Sequence, residues 1–423
     1  MMRRRIKAII QDTIFSDQEL FRYSFLMIFA TMLAMIINYF FQVLVGRFLG
    51  PSDYGIFGSL IAILYLISVF GGAINTSITK ISSEFFAKKE ISKIKRVLTT
   101  YSFRLLILGS SLAILLFLFS SYISNFLKTD EFFSIILLAI SFPLTFLSSN
   151  LFGILRGMQR FKEYAFISVL QPIIKLALAL ILIFLGFKVS GAVGAVVISG
   201  FFVCGLAFYY LKDVLKEKGK RFDKTLLIKY SLPVFILSFC ITAMINLDIL
   251  LVKNLFSSEE SGFYVAASTL SKIVFWISGS LIVVMFPKAT SLNISEKSKA
   301  RKIFRTTIIY TLIISFAFLF FTFLFPDFVI YFAFGENFLK ASEIIFLFFV
   351  LMSLISIIQI ILNYDLSIDK IKPIYILPIF VFFEILLIYL FHSSLIQVIK
   401  NLVLLNLFLL TFLVIFNIKE LFE

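Results

Sequence analysis

Charge, histidine and cysteine are scarce in this chain, and each scarcity removes a class of function. Only 15% of its 423 residues are Asp, Glu, Lys or Arg, and the acids number 24. There is a single histidine, His392, and there are two cysteines, Cys204 and Cys240. One histidine with no second His or Cys nearby argues against a metal centre. Two cysteines, each inside an apolar run, make no disulfide framework and point to no redox compartment. A phosphate-binding GxxxxGK[ST] loop is missing, so the chain does not hydrolyse ATP by that chemistry. There is no HExxH, no Cys–His catalytic pair and no polar stretch long enough for a soluble domain. No catalytic residue, cofactor or metal ligand is expected. No cleavable signal is evident either, because the first apolar run continues far past signal-peptide length.

Apolar residues are what the chain has in abundance: 61% of it is hydrophobic, including 56 phenylalanines. A soluble fold cannot bury that fraction. A helix of about 20 apolar residues crosses a bilayer core of about 30 Å. Breaking the sequence at charged and Pro/Gly stretches predicts about 12 such helices, at roughly 21–46, 55–77, 102–124, 132–153, 164–186, 190–211, 230–253, 262–286, 305–326, 342–363, 373–391 and 397–417. The run Glu84 to Leu98, EFFAKKEISKIKRVL, reads as an amphipathic segment at the membrane surface.

The net charge is +15, and its placement is uneven. With a cytoplasmic N-terminus, about 31 of the 39 lysines and arginines fall on inner segments. The outer ends carry Arg47, Lys128, Lys188, Lys253, Lys340 and Lys400. The positive-inside bias therefore predicts a multi-pass protein of the cell membrane with both termini cytoplasmic. It also explains the basic charge without nucleic acid, for which no binding module is present. Basic runs such as KEKGKRFDK, Lys216 to Lys224, suit anionic lipid heads.

The two halves echo one another. VLVGRFLGPSDYGIFGSL, Val43 to Leu60, superimposes without a gap on the stretch about 207 residues later. Val45 then meets Val252, Asp53 meets Glu260, Gly55 meets Gly262 and Phe57 meets Tyr264. FLKTDEFFSIILL from Phe126 resembles FLKASEIIFLFFV from Phe338. Six helices per repeat is an even number, so both halves insert the same way, related by an axis along the membrane normal. The expected fold is an all-α integral membrane protein with about twelve helices in two six-helix bundles. The expected division is an N-terminal lobe 1–211, a cytoplasmic basic linker 212–229 and a C-terminal lobe 230–423. Two such bundles enclose a cleft that can open alternately to either side.

Four stretches carry a family resemblance: the LGPSDYG turn, LDILLVKNLF, SGFYVAASTLSK and ILRGMQRFKEY. Together they resemble polysaccharide-transport proteins of the multidrug/oligosaccharidyl-lipid/polysaccharide exporter superfamily, to which Wzx-type flippases are related. The resemblance covers nearly the whole chain and implies a V-shaped secondary transporter that flips a polyprenyl-linked sugar. It says little about which sugar.

Charge near mid-bilayer costs about 2.5–3.5 kcal/mol and marks candidate working residues. Lys175 and Glu384 sit mid-helix at nearly equivalent places in the two halves, as an ion pair joining them or as transport residues. Ser168, Gln171, Pro172 and Lys175 share one helix face. Asp248 and Lys272 flank one turn and are expected to pair in at least one transport state, either structurally or as an H+ or Na+ site coupled to substrate. Asn246, two residues from Asp248, is set about 200° away on an unbroken helix and is expected to face elsewhere. Polar stripes run along the first helix (Ser24, Thr31, Asn38, Gln42), the second (Ser68, Gly71, Gly72, Asn75) and the eighth (Ser268, Ser271, Lys272, Ser278). Asn38, Gln42 and Asn75 are large enough to reach a sugar hydroxyl or phosphate. Arg22, Arg104, Arg156 and Arg160 stand near the inner mouth, where a lipid diphosphate needs cations; topology anchoring is the alternative role. Arg47 stands on the outer side against the charge bias. It is placed to pair with Asp53 or to receive the head group. The expected substrate set is Asn38, Gln42, Arg47, Asn75, Arg156, Lys175 and Lys272, and the ionic set is Asp248, Lys272, Glu384 and Lys175.

The leading function is a flippase for a lipid-linked oligosaccharide or polysaccharide precursor, working among membrane lipids and other polysaccharide-assembly proteins. The alternatives are a cation-coupled multidrug exporter, a lipid II type flippase, and a membrane-embedded polymerase or ligase. The last usually needs a long outer loop, and the longest here, Pro326 to Ser342, is short.

Overall fold

In a computed structural model, residues 2–219 and 232–418 are described, with side chains from residue 22 onward apart from Ser24 and residues 293–295. Ser24 of the first polar stripe and the expected linker beyond Gly219 lie outside the described side chains and residues. Among the described residues the chain is helical, with no strand.

Twelve long helices can be traced. They are α1 (Met2–Leu49), α2 (Pro51–Ala87), α3 (Ile91–Leu118), α4 (Phe132–Gly157), α5 (Phe161–Leu182), α6 (Lys188–Tyr210), α7 (Leu232–Leu255), α8 (Ser258–Ser295), α9 (Lys297–Leu324), α10 (Ser342–Ser367), α11 (Leu377–Leu390) and α12 (Leu395–Phe416). Among the described residues, eleven stretches are long and apolar enough to cross a membrane. One of them, Phe161–Tyr210, is two helices folded back on each other: Gly186 takes φ +90° and α5 packs along α6. Glycine adopts that left-handed backbone without a Cβ clash. Twelve crossings result.

Local chemistry sets the helix starts. Gly50 (φ +78°) turns the chain and Pro51 opens α2, with Asp53 in its first turn. At the matching place Ser257 caps α8 and Glu260 completes a capping box. Both acids lie at the positive end of a helix dipole. Two connecting stretches take a definite form, the second of them a correction. The run Glu84 to Leu98 spans the end of α2, which continues to Ala87, and the start of α3, where its apolar residues Ile94, Val97 and Leu98 are buried. Pro326 to Ser342 is not a loop, but a helix (Pro326–Phe334) followed by a tighter turn (Glu336–Ala341). Proline fits the first helical turn because its missing N–H has no partner there anyway.

Packing repeats between the halves. In the first half α2, α3 and α6 pack on α4, α1 packs on α5, and α5 packs on α6. In the second half α8, α9 and α12 pack on α10, α7 packs on α11, and α11 packs on α12. The halves meet chiefly through α2 and α8. Each helix crosses once, so the α1–α2, α3–α4 and α7–α8 turns share one rim. At that rim a Cβ on Gly262 would strike the Pro51 carbonyl, and one on Gly55 would strike Ser261 and come 2.9 Å from the Gly262 nitrogen. Tyr54 bonds to Thr269 at 3.1 Å and packs tilted against Phe334 and edge-on against Phe338. Toward the opposite rim, Phe70 of α2 packs on Phe235 and Phe239 of α7. There α1 and α8 present exposed apolar side chains, Phe25, Phe29 and Met32 on one and Val283 and Val284 on the other.

Candidate functional site

The second half carries a buried polar cluster built on a break in α7. The helix stops at Met244 and restarts at Leu247. Between them Asn246 has φ −142° and ψ −23°, and its side-chain amide donates to the Thr242 carbonyl at 2.8 Å. An Asn side chain that satisfies a nearby carbonyl offers the backbone an alternative to the helix. Asp248 stands in the first turn of the second segment and is fully buried. Tyr264 of α8 donates its hydroxyl to Asp248 Oδ2 at 2.8 Å. Lys272, two turns further along α8, donates to Asn246 Oδ1 at 3.3 Å. Glu384 of α11 is buried and lies within electrostatic reach of Asp248 and Tyr264.

This arrangement bears on three expectations, of which the Asp248–Lys272 pairing was expected in at least one transport state and the other two are revised. Lys272 is close enough to Asp248 to feel its charge, yet it makes no ion-pair contact and is held by Asn246 instead. Asn246 does face this cluster: the 200° separation assumed an unbroken helix, and the break removes it. Lys175 and Glu384 do not pair. Lys175 reaches Asn38 Oδ1 at 2.5 Å in the first half, whereas Glu384 stays in the second half beside Asp248.

The two halves are related position by position. Shifting by 207 residues carries Phe41 to Asp248 and Phe57 to Tyr264. Phe41 and Phe57 pack edge-on with ring centroids 6.0 Å apart, where Asp248 and Tyr264 share a hydrogen bond. Lys175 of α5 rests over the Phe41 ring, 4.2 Å from its centroid, a cation–π contact. Glu384 holds nearly the equivalent place on α11, near Asp248. The first half thus fills its interhelical site with an aromatic pair and its own cation. The second half fills it with two carboxylates and a tyrosine. Both Glu384 oxygens and Asp248 Oδ1 have no hydrogen-bond partner there.

Two buried carboxylates within electrostatic reach of each other favour an added positive charge. The oxygen-only donor set of Asp248, Glu384 and Tyr264 suits a proton or a hard cation such as Na+. Among the described residues no cluster of three His, Cys, Asp or Glu is present.

The remaining candidates scatter. Gln42 donates to the Tyr65 hydroxyl at 3.1 Å, and Asn75 donates to the Ser149 carbonyl at 2.8 Å, tying α2 to α4. Arg47 is not paired with Asp53. It donates to the Phe332 carbonyl at 3.2 Å, across to the second half, while Asp53 lies 3.7 Å from Lys188. Arg156 bonds to Thr79 and stacks over Tyr164, with its Nε buried and unbonded. Arg160 is held by Asp213 and the Tyr210 carbonyl. Arg104 lies over Tyr101, and Arg22 is exposed. His392 bonds to the Tyr389 carbonyl. Sequence reasoning gave Tyr264 no role in the site. Its signal was the repeat itself, in which a hydroxyl appears opposite Phe57, sixteen residues from Asp248.

The profile of a family described as "Polysaccharide biosynthesis protein" matches residues 44–343. No curated protein matches. Solved structures do. An inward-facing multidrug resistance MATE family transporter of the MOP superfamily aligns with TM-score 0.72 at 13% identity, over 94% of this chain and 98% of its own. The lipid II flippase MurJ, in an inward closed conformation, aligns with TM-score 0.72 at 18% identity, over 94% of this chain and 89% of its own. A MOP superfamily transporter from Pyrococcus furiosus Vc1, described as having a binding pocket of reversed polarity, aligns with TM-score 0.59 at 17% identity, over 93% and 94%. At these identities the likeness is one of fold: an all-helical, multi-pass membrane architecture.

Proposed function

Because the chain belongs to the polysaccharide biosynthesis protein family, we propose that it is a flippase that carries a polyprenyl-linked oligosaccharide or polysaccharide precursor from the cytoplasmic to the outer face of the cell membrane. The proposed motion is alternating access, with residues 1–211 and 230–423 rocking as two lobes. By the positive-inside bias, the α1–α2 rim faces outward and both termini face the cytoplasm. The tight Gly55–Gly262 crossing at that rim supports an outward-closed arrangement.

The observation that carries the reading is the pair of buried carboxylates, Asp248 and Glu384, which make no ion-pair contact while the neighbouring Lys272 bonds to Asn246. It supports ion-driven transport with H+ or Na+ as coupling ion. When the ion neutralises the carboxylates, Lys272 is free to turn toward an anionic cargo. Lys175, bonded to Asn38 one helical turn from Gln42, offers the matching charge from the other lobe. Two lysines suit a diphosphate-linked substrate. They do not suit a cationic drug, which is how a multidrug exporter of this fold is distinguished. Arg156, with an unbonded Nε near the cytoplasmic mouth, suits the entering diphosphate. Asn75 and Arg47, bonded to protein carbonyls, serve only once those bonds exchange. Neighbours of this fold are transporters, so no catalytic role is assigned. Membrane lipids and other polysaccharide-assembly proteins are the proposed partners.

The test is reconstituted flipping of a fluorescent polyprenyl diphosphate sugar under an imposed proton or sodium gradient. One gradient is expected to accelerate flipping in the parent and to leave Asp248→Asn and Glu384→Gln unaffected. A parental rate that ignores both gradients overturns the coupling. Flipping of a cationic dye in place of the lipid-linked sugar overturns the substrate class.

A further inference from the structure

At the α1–α2 rim the end of α7 meets the turn between α3 and α4. Asn254 donates its amide to the Phe126 carbonyl at 2.6 Å, a contact between the two halves. It brings Lys253 within electrostatic reach of Lys128. Lys253 is fully buried, and its ammonium donates to Ser258 Oγ at 2.7 Å. Lys128 is exposed and held at φ +48°, a left-handed conformation uncommon for a lysine. Among the described residues no carboxylate makes an ion pair with either ammonium. The nearby acids are otherwise engaged or turned to solvent. Glu131 holds Ser134, Glu260 holds Ser257, and Asp130 and Glu259 are exposed.

An ammonium has three donors, and one hydroxyl does not offset the burial of its charge. Two further positive features worsen the balance: the second lysine, and the positive end of α8, which starts at Ser258. Like charges on opposing halves would also push this rim apart. We infer that Lys128 and Lys253, one from each half, form an anion site that takes a phosphate group at the α1–α2 rim, with Ser258 completing it. A phosphate group offers several oxygens and up to two negative charges to both lysines and the hydroxyl, where chloride brings one charge at a single point. The phosphate is either a soluble anion or the head group of a lipid at that rim. The site is independent of the saccharide reading, since it uses none of the residues of the Asp248 cluster.

The experiment uses the full-length protein in detergent and follows thermal unfolding in inorganic phosphate against chloride at matched ionic strength. Phosphate should raise Tm saturably. Lys253→Gln should abolish the shift and Lys128→Gln should reduce it. In nanodiscs of phosphatidylcholine, a rise when phosphatidic acid is included assigns the site to a lipid head group, and a rise only on adding free phosphate assigns it to a soluble anion. Either supports the site. If Lys253→Gln fails to fold, the exposed Lys128→Gln still decides. Equal Tm in phosphate and chloride, with no effect of phosphatidic acid, overturns the inference, as do variants that keep the whole parental shift.

Discussion

Tyr264 donates a hydrogen bond to Asp248 at 2.8 Å, at the two positions where the first half sets Phe57 edge-on against Phe41. One backbone arrangement thus holds an apolar pair in one half and an ionisable pair in the other. In the first half the neighbouring charge is Lys175, bonded to Asn38 and seated over the Phe41 ring. In the second it is Glu384, whose two oxygens have no hydrogen-bond partner.

Tyr264→Phe should restore the aromatic chemistry of the first half and remove the donor to Asp248. The ring packs edge-on against Phe348, with centroids 4.7 Å apart, so the fold should survive. Leaving the buried oxygen without its donor costs about 1–3 kcal/mol. Thermal unfolding should drop accordingly, and the ion dependence of flipping should weaken. Full ion dependence in this variant would separate the hydroxyl from coupling.

Lys272 is expected to be shared between Asn246 and Asp248. Asn246→Ala removes its hydrogen-bond acceptor, and Asp248→Ala removes the nearby negative charge. Each single change should cost more than the same change made together with Lys272→Ala, because an uncompensated buried charge is the expensive outcome. Double-mutant cycles on Tm read the two couplings separately. Additive effects in both cycles would show that Lys272 serves neither residue.

Gly262→Ala should hinder closure of the α1–α2 rim, since its Cβ would meet the Pro51 carbonyl. Overpacking of this kind costs about 1–3 kcal/mol. Gly279, on the same helix, has nothing within 4 Å, and Gly279→Ala should be silent. Flipping rate and Tm should fall for the first variant only. Equal behaviour of the two would remove the glycine crossing from the mechanism.

Cysteine labelling should place the rims. A cysteine at Ser52, exposed at the α1–α2 rim, should react with an impermeant reagent added outside intact cells. A cysteine at Lys218 should react only after permeabilisation. The reverse pattern would invert the topology.

Arg160 and Asp213 tie the α4–α5 turn to the end of α6. Burial works to raise the Asp213 carboxyl, but the Arg160 guanidinium outweighs it and holds the group below its usual range. The sign follows: the stabilisation is present above the ordinary carboxylate range and is lost as pH falls through the lowered value. Asp213→Asn should therefore lower Tm slightly at neutral pH, and the difference from the parent should vanish in acid.

Hydropathy and charge by themselves determined the helices, the all-α membrane class and the repeat of two six-helix halves. Those are properties of one segment at a time: an apolar run long enough to cross lipid must satisfy its backbone internally as a helix. The repeat was legible because Asp53–Glu260 and Gly55–Gly262 serve the same local turn in each half. The partners of the buried charges were not legible. The midpoints of α5 and α11 suggested Lys175 with Glu384, yet α5 packs on α1 and α11 packs on α7, so each charge met its own half. Helical spacing set Asn246 apart from Asp248, and only the break at Asn246 brought both to α8. Which side chains share a site depends on helix packing and on local departures from ideal geometry. Both arise from contacts between segments distant in the chain, so the tertiary structure decided them.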